Sequence, residues 1–96
     1  MPRIPNLKQR KELLMNAPVK PNTKYIDVWW YVEELPNWRK GMGKKQLADL
    51  IETSKSELVE TLKAREGLTG VQATKGVNNL SKQIKETGLA IPVEVD

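Results

Sequence analysis

Two hydrophobic periods run along this chain, one of 3.6 residues and one of 2, and the change between them divides it. Between residues 44 and 51, Leu47, Ala48, Leu50 and Ile51 recur at helical spacing, and Thr53 and Ser54 break the run. Ser54 followed by Glu57 has the form of a capping box. It predicts a second helix to about Arg65, burying Leu58 and Leu62 and stopping at Gly67. A last helix is predicted over roughly residues 77–87, with Val77, Leu80 and Ile84 on one face and Gly88 as its stop. After it, Leu89, Ile91, Val93 and Val95 alternate with Ala90, Pro92, Glu94 and Asp96. That is the period of a half-buried strand, and Pro92 places it at an edge. The glycine-punctuated stretch 68–76 fits either a hairpin-like excursion or an irregular loop.

The first third of the chain is less regular. Tyr25, Val28, Trp29, Val32 and Leu35 share a helical face, with Thr23 as N-cap and Pro36 at the end. The β-branched and aromatic run Ile26, Val28, Trp30, Val32 also suits a strand. Length and cap favour the helix. Trp29, Trp30 and Tyr31 are consecutive and cannot all face one core, so at least one belongs to another surface. Residues 1–24 hold four of the six prolines, and residues 6–15 between them form a short helix capped by Asn6. The expected organisation is a basic, proline-rich arm over residues 1–22 and one domain over residues 23–96. Its fold class is mainly α with a small β element.

Composition narrows the chemistry. The 96 residues include no His, Cys or Phe, which removes disulfides, thiol nucleophiles, the usual proton shuttle and the commonest metal ligand. A non-enzyme without cofactor or metal is expected. The longest strongly apolar run, residues 28–32, is far below the roughly 20 residues that span a bilayer. The expectation is a soluble, cytoplasmic protein that avoids membranes.

The net charge of +4 is unevenly spread. Residues 1–24 carry Arg3, Lys8, Arg10, Lys11, Lys20 and Lys24 against Glu12 alone. A second basic group, Arg39, Lys40, Lys44 and Lys45, is flanked on both sides by acidic stretches. Basic tails and loops serve as phosphate contacts or simply as solubilising charge.

The segment from Lys44 through Ala48 and Ser54 to Leu62 resembles the helix-turn-helix of the winged-helix superfamily. Ala48 supplies the small residue where two helices cross, Leu47 and Ile51 pack below it, and Leu58 and Leu62 return to the core. The resemblance covers roughly residues 25–66, and it implies a helix-turn-helix or winged-helix-like small domain that binds DNA. Glu52 stands where the family usually has Gly, and the second helix would turn Glu57 and Glu60 toward DNA with Lys55 and Ser56. Acidic side chains suit few base edges. In a second registration the last helix reads DNA, displaying Lys75, Asn78, Asn79 and Lys82, and its passage into a strand looks like that from recognition helix to wing. Asn pairs with adenine edges and Lys with phosphate or guanine. The resemblance thus implies double-stranded DNA as partner, with Arg39, Lys40, Lys44 and Lys45 as backbone contacts, and the small size of the chain suggests a phage- or mobile-element-type regulator acting as a homodimer. The alternative is a protein-binding adaptor or inhibitor that presents Trp29, Trp30, Tyr31 and Trp38 as its interface.

Overall fold

A computed structural model describes residues 4–95. In chain order its elements are α1 (Leu7–Met15), β1 (Lys24–Ile26), α2 (Trp29–Val32), α3 (Lys44–Thr53), α4 (Lys55–Glu66), α5 (Gly70–Thr87) and β2 (Val93–Val95). The protein is mainly helical, with one two-stranded antiparallel sheet. Lys24 pairs with Val95, Tyr25 with Glu94 and Ile26 with Val93, so the sheet ties the start of the domain to its end.

The core is built on α5. This helix packs against α3, α4 and β2, and it buries Ala73, Val77, Leu80 and Ile84 along one side. Val32 of α2, Ile51 of α3 and Leu58 and Leu62 of α4 close the same core. Gly76 lets α5 approach the sheet closely: a Cβ there would lie 3.2 Å from Val95 Cγ1. The Cα radius of gyration is 12.5 Å, matching the roughly 12.5 Å expected of a compact domain of this length. α1 is tied to this body through the Arg10–Asp27 pair.

Several local expectations hold. Asn6 caps α1 in a reciprocal box with Gln9, at 2.9 Å in both directions. Gly67 and Gly88 end α4 and α5 in left-handed conformations, with φ of 66° and 71°, as a C-terminal stop requires.

Others are corrected. The predicted helix over Thr23–Leu35 is a strand followed by one turn of helix, β1 and α2. Strand forms only at Lys24–Ile26, where β2 supplies a pairing partner, while Val28 caps α2 and Trp30 and Val32 of the alternating run lie within that helix. The glycine-punctuated stretch is neither hairpin nor loop, because α5 already begins at Gly70. Thr69 accepts the Gln72 N–H at 3.2 Å while Gln72 accepts the Thr69 N–H at 3.1 Å, and this capping box outweighs the two helical glycines. The Ser54–Glu57 box does not form: Ser54 is the single junction residue between α3 and α4 and makes no side-chain cap. The ordered C-terminal strand is confined to Val93–Val95.

Candidate nucleic-acid interface

The short helix α2 separates two unlike surfaces. On one side, Trp29 is buried and meets Trp38 edge to face, with ring centroids 6.4 Å apart and planes at 81°. The loop after α2 is fastened by the Trp38 N–H to the Leu35 carbonyl at 3.1 Å and by the Arg39 N–H to the Met42 sulfur at 3.3 Å. Gly41 turns it with φ of 91°, a region that favours glycine. Between this loop and α1 runs an open groove of about 600 Å³, walled by Leu7, Trp30, Trp38 and Met42 with Arg39 and Lys40.

α1 is held over this groove by one cation rather than by an apolar face. Arg10 is 2% exposed, pairs with Asp27 at 2.8 Å and donates to the Pro5 carbonyl at 2.6 Å. The Glu33 carboxylate stands 3.9 Å from the same guanidinium. A buried arginine in a basic arm leaves no signature in hydrophobic periodicity, so sequence reasoning had no means of finding it.

On the other side of α2, Tyr31 donates its hydroxyl to Glu66 at 2.5 Å, and the Arg65 guanidinium lies 5.8 Å from its ring centroid. Burial, then the hydrogen bond to Glu66 and that residue's negative charge, pushes the Tyr31 phenol up to about 12. Arg65 reaches Glu34 at 3.0 Å, and Lys24 reaches Glu66 at 3.8 Å. A cleft of about 430 Å³ lies here, walled by Tyr31, Leu35 and Leu58 with Glu34, Glu57 and Glu60. The expected aromatic interface is thus divided. Trp30 and Trp38 line the basic groove, Tyr31 belongs to the acidic cleft, and Trp29 is core.

The cations sort themselves in the same way. Lys24, Lys63, Arg65 and Lys85 pair with Glu66, Glu60, Glu34 and Glu52. Arg39, Lys40, Lys44, Lys45, Lys55 and Lys82 form no ion pair with any described carboxylate. Lys44 and Lys45 are exposed on the first turn of α3, while Lys55 and Ser56 open α4 beside Glu57. On α5, Lys75, Asn78 and Lys82 are exposed at helical spacing, which lines them along one stripe. Asn79 instead donates to the Glu94 carbonyl at 3.1 Å and fastens α5 to β2.

Glu52 also acquires a role that its position in the sequence did not disclose. Its carboxylate accepts from the buried Ser81 hydroxyl at 3.1 Å and pairs with Lys85 at 3.7 Å, joining α3 to α5. Among the described residues, no group of three or more acidic side chains is placed to hold a metal ion, and no helix is long and apolar enough to cross a membrane. No protein-family model, curated protein or solved structure matches the chain significantly.

Proposed function

We propose that the protein binds double-stranded DNA as a small regulator, with α5 as the helix that reads the duplex. One observation carries this reading: six cations of the expected interface pair with no described carboxylate, whereas Lys24, Lys63, Arg65 and Lys85 each pair with a glutamate. Unpaired surface cations are free to displace the counterions of a phosphate backbone.

The link lengths favour α5 over α4 as the reading helix. A helix-turn-helix joins its helices by about three or four residues. One residue, Ser54, separates α3 from α4, while residues 67–69 separate α4 from α5. The outward side of α4 carries Glu57 and Glu60, which repel phosphate; that of α5 carries Lys75, Asn78 and Lys82. After α5 a single strand, β2, returns to pair with β1. Asn78 and Lys82 then approach base edges, and Lys44, Lys45, Arg39 and Lys40 contact the backbone. The adaptor reading drew on a joint Trp and Tyr surface, and the burial of Trp29 and Tyr31 leaves it Trp30 and Trp38 alone.

A mobility-shift titration on mixed-sequence duplex DNA tests the proposal. Binding is expected at low salt, and Lys82→Glu weakens it by roughly tenfold or more. Absence of a shifted complex at low salt would refute the reading. An unchanged affinity for Lys82→Glu would remove α5 from it.

A further inference from the structure

We infer that the groove between α1 and the loop of residues 36–43 takes an unpaired nucleobase, giving the protein a single-strand site separate from α5. The walls combine what such a ligand needs. Trp30 is 43% exposed and Trp38 half-buried, so indole surface is open to the groove. Arg39 and Lys40, exposed and without a carboxylate partner among the described residues, stand in the same walls. An aromatic platform beside cations is the arrangement that stacks a base and holds its phosphate together.

The charge balance inside the groove points the same way. Its one carboxylate, Glu33, faces the Arg10 guanidinium at 3.9 Å, so the walls are cationic overall. The Trp38 wall is also fixed in advance. Trp38 is braced edge to face on buried Trp29, and the Arg39 backbone is tied to the Met42 sulfur. Little ordering is then needed when a ligand arrives. The volume of about 600 Å³ lies within the range of small-molecule clefts. A base paired within a duplex has its faces covered by its neighbours, so stacking on Trp30 selects an unpaired one. Base–aromatic stacking tolerates any sequence, and the groove therefore recognises strandedness.

Tryptophan fluorescence titrated with a short oligothymidylate and with a duplex tests this site apart from α5. Oligothymidylate is expected to quench the emission saturably. Trp30→Ala should weaken that binding by roughly tenfold or more, while duplex affinity stays within twofold. Trp30→Phe, which keeps a ring, should restore most of the loss, and this separates stacking from a disturbed fold. Lys82→Glu should show the opposite selectivity. Oligothymidylate binding that survives Lys82→Glu supports the groove even where duplex binding by α5 fails. Three results would overturn the inference: no quenching by oligothymidylate, an oligothymidylate affinity unchanged by Trp30→Ala, or saturable quenching by an acidic peptide alone.

Discussion

Trp30 and Tyr31 are adjacent in a helix of four residues, yet they belong to regions built on opposite principles. Around Tyr31, charges interlock: its hydroxyl meets Glu66, Glu66 meets Lys24, and Arg65 lies near the ring and binds Glu34. Around Trp30, the cations Arg39 and Lys40 point to no described carboxylate and an indole is left open. α1 is anchored over the basic groove by Arg10, and that anchor is buried. Cations matched by acids within the fold hold it together, whereas unmatched ones remain available to a partner. The two sides of α2 should therefore respond differently to the same kind of mutation.

The largest expected effect comes from removing the groove's anchor. Arg10→Ala should lower the free energy of unfolding by about 3 kcal/mol in urea denaturation, because the largely covered Asp27 carboxylate is left without its counter-ion. Asp27 Oδ1 already lacks a hydrogen-bond partner among the described residues, so nothing nearby compensates. A change below about 1 kcal/mol would mean that α1 is not held by this pair.

The opposite side should reveal itself through pH. The Tyr31 phenol is raised from 10.0 to about 12 by burial and Glu66. The folded state therefore retains a proton that the unfolded chain releases first. This contribution is intact below pH 10 and is lost as pH climbs toward 12, on the order of 2 kcal/mol. Wild-type stability measured across that window should fall more steeply than that of Tyr31→Phe. Parallel curves would remove the Tyr31–Glu66 bond from the account.

A smaller effect separates paired from unpaired surface charge. Glu34→Gln breaks an exposed pair with Arg65 and should change stability by at most about 0.5 kcal/mol, with duplex affinity unaltered. Arg39→Ala combined with Lys40→Ala should leave stability equally undisturbed and yet weaken duplex binding. If both variants weaken binding alike, the division between the two faces does not hold.

How far the sequence foretold this arrangement depended on the range of the interaction. α3, the end of α4 and the stop of α5 rest on contacts within a few residues, such as Leu47 with Ile51 or the turn at Gly67, and their patterns were legible. β1 was not, because its stability comes from β2, nearly seventy residues away. The start of α5 was obscured by Gly70 and Gly76, although the Thr69–Gln72 box was there to be recognised. Gly76 is explained by the close passage of Val95. Of the candidate site, the basic loop was visible as a run of charge. The separation of Trp30 from Tyr31 was not, since helical spacing alone does not say which neighbour has a glutamate waiting. Arg10 and Glu52 read as ordinary surface charges until Asp27 and Ser81 were placed opposite them.

The central claim, that unmatched cations are the ones that meet DNA, is tested most directly by the salt dependence of duplex affinity. The slope of log affinity against log salt should be compared among wild type, Lys44→Ala with Lys45→Ala, and Lys24→Ala with Lys63→Ala. Each lost phosphate contact reduces the slope by about 0.9. The unpaired double variant should therefore lower it by about 2, and the paired one should leave it unchanged. Equal reductions in both, or a wild-type slope near zero, would contradict the account.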